Sequence, residues 1–253
     1  MPNFDTVLLE WAAQYDGFTL GQAARASALT TYFCSTTATP TDRTVLGRWL
    51  TWRCAVQDFA RYDLRVAPAQ ATELWRGLRT VAEGRAAPTS PFGAALNDIV
   101  ANLSRLRGVT AADITFVGIG VGHFLDGVAA SYDWQQRGST PTAALRRANR
   151  ARTSGIWGAW ALLSATRNWD LAHCLISHPA RRMLPTLEQM AVLANESTCD
   201  AEAATRQTTI RLTLASLPGQ WADFSHWTAQ LVGGMPEWSA QLWDDAIPDA
   251  NDG

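Results

Sequence analysis

Val45, Trp49, Trp52, Val56 and Phe59 stand three or four residues apart, and apolar residues recur at that helical spacing through most of the chain. Such spacing stacks large side chains on one helical face, whereas a strand would need strict alternation, of which no clear series occurs. The fold class is therefore all-α. Prolines fall between the apolar runs, at Pro40, Pro68, Pro91, Pro141, Pro179, Pro218 and Pro236, and Thr39, Ser90 and Thr140 directly precede three of them. Proline suits the first helical turn, and a hydroxyl before it can cap the new helix. Divided at these points, the sequence predicts helices over 4–15, 18–35, 41–65, 68–84, 91–107, 110–137, 141–166, 180–215, 218–232 and 236–246. About ten helices suit a bundle, and nothing within 1–253 resembles a linker, so one domain is expected.

Segment 110–137 carries Gly118, Gly120, Gly122 and Gly127. Each interior helical glycine costs about 1 kcal/mol relative to alanine, which implies a close helix contact or a cavity wall. Twelve tryptophans point in two directions: dense helical cores use them, and aromatic faces also line apolar pockets and stabilise cations.

Composition removes several classes. Apolar residues make up 47% and charged residues 17%, too apolar for disorder. No run of 18 or more uninterrupted apolar residues suggests a membrane span, and Met1-Pro2-Asn3-Phe4-Asp5 does not begin like a signal peptide, so a cytoplasmic location is expected. The formal net charge of -2 gives no global field for nucleic acid. All 21 basic residues are arginine, and Cys34, Cys54, Cys174 and Cys199 lie singly, without the spacing of a zinc site.

Three stretches could carry chemistry. The first runs from Trp49 to Asp63 and includes Gln57-Asp58-Phe59-Ala60-Arg61. Asp63 lies five residues beyond Asp58, about 140° around an α-helix, so the two acids do not share a face. Asp58 either faces a cavity or pairs with Arg61 or Arg65 on its own helix. The second spans His123 to Gly155: a helix closing on Asp133-Trp134-Gln135-Gln136-Arg137-Gly138, then Thr140-Pro141-Thr142, then Arg150-Ala151-Arg152-Thr153-Ser154-Gly155. Arg146, Arg147, Arg150 and Arg152 form either an anion site or a solvated basic face. The third is Asn195-Glu196-Ser197-Thr198-Cys199-Asp200-Ala201-Glu202-Ala203, in which Asn195, Cys199 and Ala203 share one helical face, while Glu196 and Asp200 form a pair rotated about 100° from it.

These stretches resemble, in order and spacing, class I terpene synthases of the bacterial type. Gln57–Arg61 looks like the aspartate-rich DDxxD motif with one acid of three kept. Asn195 looks like the start of the second metal motif, whose other two positions are Cys199 and Ala203, poor Mg²⁺ ligands. Gly234-Met235-Pro236-Glu237-Trp238-Ser239 is similar to the approach to the family's terminal Arg-Tyr pair, here replaced near Trp243-Asp244. The resemblance implies a helical bundle around an apolar, aromatic-lined cavity. It implies Mg²⁺ held by Asp58 and Asn195, with the incomplete motifs arguing against a full metal cluster, and Arg150 as diphosphate sensor with Arg152 as alternative. It further implies Ser154 and Gly155 at a helix break whose carbonyl faces a nascent cation, and a pocket lined by Trp52, Phe59, Phe124, Trp157 and Trp160. The expected partner is a small hydrophobic or isoprenoid substrate, and a homodimer is implied by the resemblance alone.

Three readings of function remain open on these residues. One is a divergent cyclase that ionises a prenyl diphosphate. Another is a metal-independent cyclase or isomerase of a non-phosphorylated polyene, with Asp58 or Asp133 as acid. The last is a non-catalytic binding protein on the same helices.

Overall fold

A computed structural model of the chain describes residues 3–34, 37–171, 208, 209, 212, 214 and 222–233. Asn195 and the rest of its stretch, most of the expected helix 180–215, the expected helix 236–246 and the Gly234–Ser239 segment lie outside the described residues.

Within them the chain is helical and has no strand. In order come α1 (Phe4–Ala12), α2 (Leu20–Phe33), α3 (Pro40–Asp58) with a π-helical turn (Phe59–Asp63), α4 (Pro68–Ala82), α5 (Pro91–Ser104), α6 (Ala111–Arg137), α7 (Ala143–Thr153), α8 (Ile156–Arg167) and α9 (Ala222–Gly233). The expected boundaries hold to within a few residues except in two places. Helix 41–65 changes to π geometry after Asp58, and helix 141–166 is two helices, divided at Ser154–Gly155.

Local chemistry explains most of the starts. Thr19, Thr39 and Thr110 each cap a helix through a reciprocal box with Gln22, Asp42 and Asp113, satisfying donors that the first turn leaves open. Pro40, Pro68 and Pro91 occupy first-turn positions as the punctuation predicts. Gly138 closes α6 at φ 58°, a left-handed conformation that glycine adopts without strain.

Two helices organise the interior. Every residue of α3 from Trp49 to Val56 is buried, so this stretch has no solvent face and is enclosed by its neighbours α1, α2, α5 and α8. α6 packs on α4, α7 and α8, and its glycines explain the closeness. A Cβ on Gly120 would lie 3.0 Å from Gly158 Cα and 2.9 Å from the Trp157 carbonyl, and one on Gly127 would lie 2.8 Å from Arg152 Cβ. The glycine run thus makes close helix crossings with α7 and α8. α6 is also long and apolar enough to cross a membrane by length and composition, yet 56% of its most apolar window is buried against other helices, as in a core helix.

Candidate functional site

The break between α7 and α8 is tightly constrained by α3. Gly155 has φ 73°, and a Cβ there would meet Arg53 Cδ at 2.7 Å and Trp49 at 3.3 Å. Only glycine lets the chain turn so tightly against α3. α3 in turn holds the break by its carbonyls. Arg53 Nε (3.1 Å) and Gln57 Nε2 (3.0 Å) donate to the Thr153 carbonyl, and Trp49 Nε1 donates to the Gly155 carbonyl at 3.1 Å. Between them, the buried Ser154 carbonyl accepts no hydrogen bond among the described residues. Its hydroxyl turns back to the Ala151 carbonyl at 2.6 Å, which fixes the residue.

Arg53 is 3% exposed, and burial lowers its guanidinium pKa from the ordinary value. It sits beside Asp58 and Arg25, whose charges act on it in opposite directions. Asp58 itself ends α3. Its Oδ2 accepts from Gln22 Nε2 at 2.8 Å and forms an ion pair with Arg25 at 3.2 Å, both on α2. The expected same-helix partners do otherwise: Arg61 stacks on Tyr62, and Arg65 donates to the Leu64 carbonyl. Beyond Asp58 the π turn closes through Leu64 N to the Phe59 carbonyl at 2.8 Å. Each residue there advances around the axis by less than in an α-helix, so the 140° separation of Asp58 and Asp63 no longer holds; Asp63 is exposed.

Mg²⁺ binding needs several hard oxygen ligands converging on one point. Asp58 has its Oδ2 committed to Gln22 and Arg25, and no group of three or more His, Cys, Asp or Glu side chains gathers among the described residues. The described donor set does not fit the metal cluster that the resemblance implies. Asn195, the other expected ligand, is outside the described residues.

Basic charge is what the site does supply. Ala143, Arg146, Arg147 and Arg150 line a cleft of about 140 Å³ on the exposed side of α7. Arg146 also donates to the Pro141 carbonyl at 2.7 Å. Arg150 is one helical turn from the break, since the Ser154 N–H donates to its carbonyl at 2.9 Å. The exposed Arg152, the alternative sensor, instead packs its stem against Gly127. The geometry therefore joins Arg150, Ser154 and Gly155.

The five expected pocket aromatics are divided. Trp52 and Phe124 are fully buried beside Trp49, with ring centroids 5.4–5.8 Å apart, and Trp52 Nε1 donates to the Phe92 carbonyl at 2.8 Å. Phe59 is half-buried against Phe92 at 4.9 Å. Trp157, also half-buried, packs on His123 and Phe116, while Trp160 packs on Phe224 of α9 at 6.0 Å.

Sequence reasoning missed Arg53, Gln57, Gln22 and Arg25. A signal existed for Arg53: a charged residue in Trp49-Leu50-Thr51-Trp52-Arg53-Cys54-Ala55-Val56 can be buried only with partners. No signal marked Gln22 and Arg25, because their partner is supplied across the α2–α3 contact.

No protein-family model matches the chain, and no curated protein sequence matches it. Solved structures do. The SVS_A2 protein from ancestral sequence reconstruction matches over 94% of this chain and 84% of its own at TM-score 0.72 and 19% identity. A structure of a-eudesmol synthase matches over 94% of both chains at TM-score 0.63 and 17% identity. Wild-type cucumene synthase matches over 84% of this chain and 85% of its own, at TM-score 0.60 and 19% identity. At such identities the likeness speaks to fold alone, and the fold is terpene synthase-like.

Proposed function

We propose that this chain is a divergent terpene cyclase acting on a prenyl diphosphate or a related polyene and guiding a carbocation through an aromatic interior. One observation carries the reading: Arg150, in an arginine-lined cleft, stands one turn before a break whose middle carbonyl, that of Ser154, is open while its neighbours are tied to α3. Heterolysis of the allylic C–O bond sends the electron pair out with the diphosphate. Guanidinium groups on α7 meet that anion, and the Ser154 carbonyl dipole and aromatic faces meet the cation left behind. Loss of a proton or capture of water ends the sequence. No step here is assigned to a metal, because the described donors do not fit one.

The test is diphosphate release from farnesyl diphosphate, measured with chelator and with Mg²⁺. Release is expected in both, lowered on the order of 10²-fold by Arg150→Ala. Absence of release from prenyl diphosphates of every chain length, in both conditions, sinks the reading.

A second reading has its own support. Asp58 is bound by Gln22 and Arg25, as expected if α3 has left diphosphate chemistry and the pocket takes a neutral polyene. The other candidate acid, Asp133, pairs with Arg137 at 2.8 Å. Chelator-insensitive turnover of a non-phosphorylated polyene, with none of farnesyl diphosphate, would decide for this reading.

A further inference from the structure

Indole N–H groups distinguish two parts of the interior. Trp11, Trp49, Trp52 and Trp169 donate to Asp98, the Gly155 carbonyl, the Phe92 carbonyl and Asp223, at 2.7–3.1 Å. Trp157, Trp160 and Trp227 are buried at Nε1 and donate to nothing among the described residues. Among the described residues seven buried side-chain polar atoms lack a partner, and five of them belong to α8 and α9: those three indoles, Thr228 Oγ1 and Gln230 Oε1. A buried donor without an acceptor is costly, and native interiors tolerate few, so a concentration on two helices calls for something that fills it.

Trp160 and Trp227 belong to one aromatic cluster and Gln230 lies one turn from Trp227, whereas Thr228 is turned about 160° from Gln230 around α9. Phe224, Trp227 and Thr228 follow one another at helical spacing on α9, and Gln230 lies three residues beyond Trp227. Trp160 approaches this face through Phe224, and Trp169 closes the cluster at 5.5 Å from Phe224 and 6.2 Å from Trp227. Trp160 and Trp227 are each 1% exposed and Thr228 is fully buried. Indole can only donate, Gln230 Oε1 can only accept, and a threonine hydroxyl does both. The complement of this set is an uncharged hydroxyl embedded in hydrocarbon: its oxygen accepts from indole, and its proton goes to the amide oxygen. An anion is unsuited, since none of the five atoms brings a positive charge.

We propose that the face between α8 and α9 binds an oxygen-bearing, uncharged isoprenoid, a terpenoid alcohol, through Trp160 Nε1, Trp227 Nε1 and Gln230 Oε1. The isoprenoid part of this assignment rests on the terpene cyclase reading above; the hydroxyl part rests on the unpartnered atoms. The site therefore belongs to a hydroxylated product, or to a neutral substrate delivered by a reaction that installs or unmasks a hydroxyl.

The experiment is calorimetric titration of the full chain with farnesol and with farnesene, which share a carbon skeleton but of which only farnesol carries a hydroxyl, farnesene having a further double bond in its place. Farnesol is expected to bind about tenfold or more tightly, the gap that satisfying one or two buried donors produces. Trp160→Phe and Trp227→Phe should each close that gap several-fold while leaving farnesene unchanged. In the unaltered chain, ¹⁵N spectra should show the Trp160 and Trp227 indole resonances shifting with farnesol and not with farnesene, a readout that needs no variant to fold. Equal affinity for the two ligands, with silent indoles, overturns the proposal and assigns the donors to buried water. Binding of neither ligand overturns it together with the isoprenoid reading, whereas farnesol binding without diphosphate release preserves it and removes only the ionisation step.

Discussion

The end of α3 and the face between α8 and α9 are both rich in tryptophan and both buried, yet they are finished differently. Around α3 the chain answers its own polar groups: Trp49, Arg53 and Gln57 hold the break, Trp52 holds α5, and Gln22 and Arg25 hold Asp58. On α8 and α9, indole, hydroxyl and amide atoms are enclosed without partners among the described residues. A closed network stabilises and positions; among the described residues this one leaves open only the Ser154 carbonyl at the break and, further back on α3, Arg48 Nε. An open one is unfavourable until a ligand completes it. The contrast places scaffold at the helix where the motif resemblance puts chemistry, and leaves the unpartnered atoms on α8, whose Trp157 and Trp160 the resemblance puts in the pocket, and on α9.

The largest test of that contrast is truncation in the closed region. Trp52→Ala removes a fully buried ring and its bond to Phe92, and is expected to cost about 3–5 kcal/mol in urea unfolding. A sharper version removes only the donor. Trp52→Phe leaves a carbonyl short of a partner and should cost about 1–3 kcal/mol, whereas Trp160→Phe deletes an N–H that has none and should cost well under that without ligand. Equal costs at the two sites would erase the distinction between finished and unfinished regions.

The same division governs how much was legible. Helix order, the proline and threonine starts and the closeness of the α6 crossings follow from spacing and capping, which are local, and the sequence carries them directly. The Ser154–Gly155 break was legible through motif order, although as a propensity pattern 141–166 reads as one helix. The partners of Asp58 were not legible, because the choice between Arg61 on the next turn and Arg25 on another helix is made by the α2–α3 packing and by the π turn. Nor were the open indoles: a tryptophan reads the same in sequence whether its N–H meets a carbonyl or an empty contact, and only the fold separates Trp49 from Trp160.

A smaller effect tests whether Asp58 belongs to the scaffold. Asp58→Asn should cost about 1 kcal/mol, the scale of a partly exposed ion pair, and the cost should be the same with chelator and with millimolar Mg²⁺. A cost that grows with Mg²⁺ would return Asp58 to the metal-ligand role.

The smallest effect is a pH dependence that should affect the two regions unequally. α9 is tied to α3 and α8 by Arg167, which pairs with Asp42 at 2.9 Å and Asp223 at 2.7 Å, and Trp169 also donates to Asp223. The Arg167 hydrogen bond holds the Asp223 carboxyl below its usual value of 3.8, against the opposing effect of burial. A carboxyl depressed in the folded chain contributes stability that is present above the unfolded value and lost as pH falls through the folded one. The tie should therefore be intact above about pH 4 and weaken below it, while the neutral bonds from Trp49 and Trp52 do not titrate there. Because Asp223 is 42% exposed, solvent screens the pair and the change in stability should be modest. It is best read locally, as faster hydrogen exchange of α9 amides relative to α3 between pH 5 and pH 3, by about a fewfold. Asp223→Asn should abolish that pH dependence and leave α3 exchange unaltered; acid loosening of α3 and α9 in parallel would mean that the two regions open as one unit.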